Sequence, residues 1–380
     1  MAPLMSWPRL FLLRKRISAA APAAGPLPPI GVDFAGERLN LVQITSVVGK
    51  PAVQAVASVP YPCAREALLA DQRQLKAFVR SALASAPFSG RRVYSALSPN
   101  DVRIVPLTVH VPAGQPERQI VARAVREHVD DLVSESVVDY YHVRSVDGDG
   151  PEKQVLVALA QQPRVLAYLG VLRSAGLDPV ALDIGPAALA RLVAAMQTED
   201  YDQSVLLINF GVEKSFLTVV WGRRLMIDRE IDFGEAQLSA KLARSLALAP
   251  DVARALLHAH GIARRSSGRS DTGLAEADVG RTIREILHPE FMLLSEELGS
   301  TQVYVASRTR GRAISRVYIN GSAAGYPNIR ERIQELIGLP VDMLDPFNAF
   351  TGTPAGSSGN ERLQGIALAA GLALRGRSDG

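Results

Sequence analysis

A single cysteine, Cys63, occurs in 380 residues, so no internal disulfide can form and the chain suits a reducing compartment. No His and Asn stand near Cys63 in the chain, which favours a packed or surface thiol over a nucleophile. No run reaches the roughly 18–20 apolar residues that a membrane-spanning helix needs. Charge of one sign is missing too: 42 Lys and Arg against 38 Asp and Glu leave a formal net charge of +4. The basic residues, such as Arg264, Arg265, Arg308, Arg310 and Arg312, carry no aromatic-laced motif around them, so no nucleic-acid partner is expected. Walker A loops, nucleophile elbows and zinc motifs are absent. His258 and His260 fall on one predicted helix about 200° apart, which argues against a shared metal site. No metal is expected, and Glu296 and Glu297 read as solvated charge on a long helix.

What is present is globular composition, 47% hydrophobic and 21% charged, in a chain too long for one ordinary core. Two lobes are the expectation. Residues 1–29 stand apart from them. Trp7 and Phe11 are accompanied by Arg9, Arg14, Lys15 and Arg16, with the charge following the apolar run, the reverse of a secretory leader. A short basic-aromatic segment of this kind suits contact with an anionic membrane surface. Ser18 to Pro29 is an Ala/Pro linker.

The body alternates strands and helices, which argues for an α/β fold. Its most informative feature is a repeat. Ile30 to Phe34, a turn, and Leu39 to Ile44 form one β-hairpin; Val205 to Phe210, a turn, and Ser215 to Val220 form another. Asp33 aligns with Asn209, Phe34 with Phe210, Ala35 with Gly211, Glu37 with Glu213 and Arg38 with Lys214, at a constant offset (209 − 33 = 176). One hairpin per half is what two lobes related by a pseudo-two-fold axis leave in a sequence. The first lobe is expected over 30–202 and the second over 203–380.

Within the first lobe comes the stretch of about 101–150. It holds an amphipathic helix, Pro116 to Leu132, with Arg118, Arg123 and Arg126 on its outer face, and a strand with Asp139, Tyr140 and Tyr141. An apolar floor with a charged rim suits capture of a short extended peptide, and these three arginines and two tyrosines are the candidate partner-binding residues. In the second lobe a long helix, Asp278 to Ser307, is expected to break near Pro289.

Several collinear segments resemble one family. The two hairpins and the late turn Asn320-Gly321-Ser322 resemble the phosphate and adenosine motifs of the actin, Hsp70 and sugar-kinase superfamily. Val137 to Tyr141, Leu169 to Asp183, Tyr318 to Ala323, Pro346-Phe347 and Gly371 to Gly376 resemble more narrowly the PilM family of type IV pilus assembly proteins and its relatives in mannose-sensitive pilus biogenesis. The resemblance runs from Ile30 to Gly376. It implies an actin-like (RNase H-like) two-lobed fold with a small α+β subdomain inserted in the first lobe. It implies a cytoplasmic scaffold at the inner membrane that binds the tail of a PilN-like membrane protein within a ring serving the assembly motors.

The resemblance also implies ATP with Mg²⁺ between the lobes, held by Asp33, Gly36, Asn209, Gly211, Gly234, Gly321 and Ser322. The turns depart from that pattern. The first reads Asp33-Phe34-Ala35-Gly36-Glu37-Arg38, with Asn40 where the family has Lys. The second has Asn209 for Asp and Glu213-Lys214 for small hydroxyl residues, and Glu235 replaces a second glycine after Gly234. Two glutamates at the hairpin tips are expected to face a polyphosphate with like charge, with Arg38 and Lys214 offsetting them in part. A non-catalytic scaffold is therefore expected rather than an enzyme. The alternatives are a kinase of the same superfamily, which would need a catalytic Asp and intact turns, and the cytoplasmic part of a type II secretion component.

Overall fold

The computed structural model describes residues 27–47, 49–129, 135–144, 150–197, 202–262, 274–351 and 364–375. The basic-aromatic segment with Trp7, Phe11, Arg14, Lys15 and Arg16 lies outside the described residues.

Two five-stranded sheets share one topology. In the first, β1 (Ile30–Phe34), β2 (Arg38–Val47) and β3 (Lys50–Pro60) run antiparallel, and β4 (Arg92–Leu97) and β8 (Asp178–Ile184) continue parallel to β1, in the order β3-β2-β1-β4-β8. In the second, β9 (Ser204–Phe210), β10 (Ser215–Trp221), β11 (Arg224–Ile231), β12 (Ile314–Gly321) and β13 (Val341–Met343) repeat it as β11-β10-β9-β12-β13. The offset of the repeat survives in the pairing register: Asp33↔Asn40 becomes Asn209↔Phe216, and Gly31↔Tyr94 becomes Leu207↔Tyr318. Central strand β9, buried along nearly its whole length, reads as a continuous apolar run because both its faces are covered.

Helices pack on these sheets. In the first lobe these are α1 (Arg65–Ala70), α2 (Gln72–Ala84), α4 (Gln162–Ser174) and α5 (Gly185–Met196). In the second they are α6 (Glu235–Leu246), α7 (Pro250–His260), α8 (Leu274–Arg308) and α9 (Ile329–Ile337). The expected break at Pro289 does not occur; α8 runs through it. Pro removes one hydrogen bond and costs about 3 kcal/mol. Buried Ile283, Leu287, Phe291, Leu294 and Leu298 on the same helix contribute more, at roughly 2 kcal/mol each.

The inserted subdomain is a third sheet, β5 (Val102–His110), β6 (Ser136–His142) and β7 (Glu152–Gln161) in the order β5-β7-β6, all antiparallel, with helix α3 (Glu117–His128). It extends past the expected end near 150. Its central strand β7 is buried on both faces, so from sequence it resembles a strand of the lobe. One face packs on α3 through Val121, Val125, Val155, Val157 and Leu159. The other, with Leu156 and Ala158, joins a core that also contains α5 and β9.

The last helix, α10 (Ala367–Ala373), falls in the segment assigned to the second lobe, yet it packs on β1 and β2 of the first sheet and on α5, while α5 also packs on β10 and β11. The contacts are tight. A Cβ at Gly371 would lie 2.1 Å from the Ala188 carbonyl oxygen, and one at Gly31 would lie 2.0 Å from that of Ala369.

Candidate functional site: the interlobe cleft and the inserted subdomain

The two hairpin turns face one another across a cleft of about 1580 Å³. Asp33, Gly36, Asn209, Gly211, Gly321 and Ser322 all line it, so the two halves of the repeat converge as the sequence pattern requires. Gly234 sits behind the wall: a Cβ there would lie 2.4 Å from the Glu213 carbonyl oxygen, so only glycine lets α6 start this close to the second turn.

The first turn is braced by side chains from beyond β3. Tyr61 Oη donates to Ala35 O at 2.9 Å and Arg65 Nε to Phe34 O at 3.0 Å. Asn40, where a lysine was expected, is buried; its Nδ2 donates to Asp33 Oδ2 (3.2 Å) and Gly365 O (2.8 Å), and its Oδ1 accepts from Ser58 Oγ (2.7 Å). Arg38 reaches Ser58 Oγ and Ser58 O, so its guanidinium is engaged along β3. Burial pushes the Asp33 carboxyl up to about 6, against the Asn40 hydrogen bond and the Arg65 charge.

At the second turn and the start of α6, three backbone donors are engaged within the protein. A phosphate cradle needs free backbone N–H groups at the turn and the helix start. Here Glu235 N donates to Gly211 O (3.1 Å), Ala236 N to Val212 O (2.8 Å), and Gly211 N to Ser215 Oγ (3.4 Å). Ser322 Oγ donates to Gly211 O at 3.1 Å. Lys214 pairs with Asp232 and approaches Glu230 at 3.7 Å. Glu37 lines the cleft, whereas Glu213 and Lys214 do not. This corrects the expectation that two glutamates line the cleft there: Glu37 does and Glu213 does not.

Other acids on the wall were not anticipated. Six carboxylates (Asp33, Glu37, Asp228, Glu230, Glu235 and Asp251) line the cleft against three arginines, so its lining is net acidic. Asp228 accepts from Thr218 Oγ1 at 2.6 Å, and burial lifts it to about 6. Glu235 Oε1 meets His258 Nε2 at 3.1 Å, with the Tyr326 ring edge-on to the imidazole at 5.0 Å. Extending the 176-residue offset one strand further would have pointed to β11; nothing in the sequence joins Glu235 to His258.

In the inserted subdomain, Arg118, Arg123 and Arg126 are exposed on α3. The structure does not bring Tyr140 and Tyr141 together, because neighbours on a strand point to opposite faces. Tyr140 faces the α3 side, its ring edge-on to His142 at 5.6 Å. Tyr141 faces the lobes and donates to Asp183 Oδ1 at 2.9 Å. Asp183 Oδ2 also takes Arg191 (2.9 Å) and Arg375 (2.7 Å), which ties β6, β8, α5 and the end of α10 into one buried knot. Where the subdomain leaves the first lobe, a hollow of about 320 Å³ has apolar Val102, Val129 and Leu159 inside polar Asp101, Arg103 and Arg164. Among the described residues no cluster of three or more His, Cys, Asp or Glu could hold a metal, and no helix is long and apolar enough to cross a membrane.

A family model described as "Type IV pilus assembly protein PilM" matches residues 31–377. No curated protein matches the chain at a significant level. Among solved structures, one titled "PilM-PilN type IV pilus biogenesis complex" aligns with a TM-score of 0.72 at 24% identity, over 92% of this chain and 99% of that one. Similarity to the ethanolamine utilization protein EutJ from Carboxydothermus hydrogenoformans is lower, with a TM-score of 0.44 at 15% identity over 92% and 90% of the two chains. MreB5 of Spiroplasma citri bound to ADP gives 0.46 at 12% identity over 85% and 93%. The first of these likenesses and the duplicated sheet topology give the fold: actin-like and two-lobed.

Proposed function

Because the chain belongs to the PilM family of type IV pilus assembly proteins, matched over residues 31–377, we propose that it is a scaffold. In this reading it holds the cytoplasmic N-terminal tail of a PilN-like inner-membrane protein and does not turn over ATP. The observation that carries the tail site is the hollow at the root of the inserted subdomain, with its apolar floor and charged rim. An extended peptide is held by backbone hydrogen bonds and a few side-chain pockets, and a hollow of this size takes one side chain of it. The exposed arginines of α3, on the same subdomain, are a second candidate contact for the tail. Tyr141, held on Asp183, positions the subdomain rather than touching the tail.

The eroded nucleotide site rests on the turn geometry. Binding a triphosphate would require opening the contacts that Glu235 N, Ala236 N and Ser322 Oγ already make, and it would place the phosphates beside Glu37 and Asp33. Work at the inner-membrane surface follows from the tail site, with the N-terminal basic segment as an additional anchor and the pilus assembly ring and its motor proteins as further partners.

Fluorescence polarisation with a labelled tail of the PilN-like protein tests the reading. Reversing Arg103 and Arg164, and separately Arg118, Arg123 and Arg126, is expected to weaken binding about tenfold or more, whether or not ATP is present. Undiminished binding by both variants, or a requirement for ATP, would refute the site. Calorimetry with Mg-ATP is expected to give no micromolar Kd.

A further inference from the structure

Register brings four side chains into one row on the second-lobe wall of the cleft. Asn320 on β12 pairs with Asn209 on β9, Asn209 with Phe216 on β10, and Phe216 with Glu230 on β11. All four line the cleft. Two residues along, Thr218 stands opposite Asp228, and both line it as well. Cross-strand partners present their side chains to one face, so this is a continuous surface assembled from four strands.

The row offers several acceptors. Asn320 Nδ2 places one of its two N–H groups on Asn209 Oδ1 at 3.1 Å, and Thr218 Oγ1 donates to Asp228 Oδ1 at 2.6 Å. Asn320 Oδ1, on a residue 9% exposed, has no hydrogen-bond partner, and a buried acceptor without a donor is costly until a donor arrives. Glu230 is approached at 3.7 Å by Lys214, whose nearer contact is Asp232. The half-buried Phe216 and Val212, 60% exposed at the tip of the second turn, make the same wall partly apolar.

The geometry points to a site on this wall for an aliphatic polyammonium ligand of the polyamine class. Its ammonium groups are taken by Asp228, Glu230 and Asn320 Oδ1, and its methylene chain lies along Phe216 and Val212. An ammonium over an aromatic face gains from the ring quadrupole, a contact that a hydrated Mg²⁺ does not make. Mg²⁺ needs near-octahedral oxygen ligands, and among the described residues no metal-holding group of acids converges. An anionic ligand meets the acidic lining and finds the Glu235 and Ala236 amides of the α6 start already bonded. The inference rests on the eroded-cleft part of the proposed function and is independent of the tail site.

Titration calorimetry of the full chain with spermidine at low ionic strength tests it, with MgCl₂ and Mg-ATP as parallel ligands. One saturable spermidine site is expected. The double variant Asp228→Asn, Glu230→Gln should weaken it at least tenfold and Phe216→Leu several-fold, while Glu152→Gln on the inserted subdomain leaves it unchanged. Circular dichroism confirms that each variant is folded, and a spermidine-dependent rise in thermal midpoint provides a second readout. No saturable heat from folded protein, equal affinity in the double variant, or displacement by equimolar Mg²⁺ would overturn the site. A micromolar Mg-ATP Kd with spermidine displaced would overturn this site and the eroded cleft together. Tail binding in the polarisation assay reports on the scaffold reading separately.

Discussion

Replacing Asp183 with Asn tests the knot that holds the inserted subdomain to the lobes. The Asp183 side chain is fully buried and receives four donors: Arg191, Arg375, Tyr141 Oη and the Ile184 N–H. Burial alone would raise its pKa, but Arg191, Arg375 and the Ile184 N–H together hold it below the usual carboxylate range. Asn removes the charge and leaves both guanidiniums facing a neutral amide. Breaking a buried pair this way costs about 3–5 kcal/mol. Because the Arg375 side chain is 33% exposed, water relieves part of the loss, and about 3 kcal/mol is the expected figure. At roughly 2 °C per kcal/mol for a large domain, Tm should fall by about 6 °C. The sign of the pH effect follows from the depressed pKa. The contribution is fully present above the unfolded value of about 3.9 and is lost as pH falls through the folded value. Wild type should therefore lose its advantage over the variant on acidification below about pH 4. Urea denaturation at pH 7 and at a series of acid pH values measures both. A loss under 1 kcal/mol at pH 7, or a variant whose acid profile parallels wild type, would refute the argument.

Gly371→Ala should yield little soluble protein or lower stability by at least about 3 kcal/mol, because its Cβ would meet the Ala188 carbonyl at 2.1 Å; thermal unfolding of the soluble fraction measures it. Asp33→Asn should stabilise at pH 7.5 by about 1–2 kcal/mol and by less at pH 4.5. The wild-type carboxyl, lifted to about 6, is buried neutral in acid but must carry charge above that pH, and denaturant midpoints at the two pH values decide. Deleting residues 1–16 should abolish salt-sensitive co-sedimentation with anionic liposomes, at roughly 1 kcal/mol per basic residue; unchanged co-sedimentation would make the segment a tail only.

The hairpin repeat was legible because strand periodicity and a constant offset are local, and both survive in the register. Helix α5 was not read. Its sequence GPAALARLVAAM is buried at seven of twelve positions because it lies between α10 and the second sheet, so no polar face marks a helical period. Its importance appears only in the approach of Gly371 to Ala188. The same limit applies to the site. Small residues at turns announced which backbone segments meet in the cleft, since glycine marks close approach. The side chains that give the cleft its charge come from elsewhere. Asp228 depends on the pairing of β10 with β11, and His258 reaches Glu235 across two helices, 23 residues apart. Sequence weighed His258 only against His260, its neighbour in the chain. Tyr140 and Tyr141 were grouped by adjacency, although period-two alternation separates them in a strand. That separation assigns them different roles: one packs the subdomain against its helix, the other ties it to Asp183. A variant at Tyr141 should therefore perturb stability and tail binding together, whereas one in the Arg103–Arg164 rim should alter binding at unchanged stability.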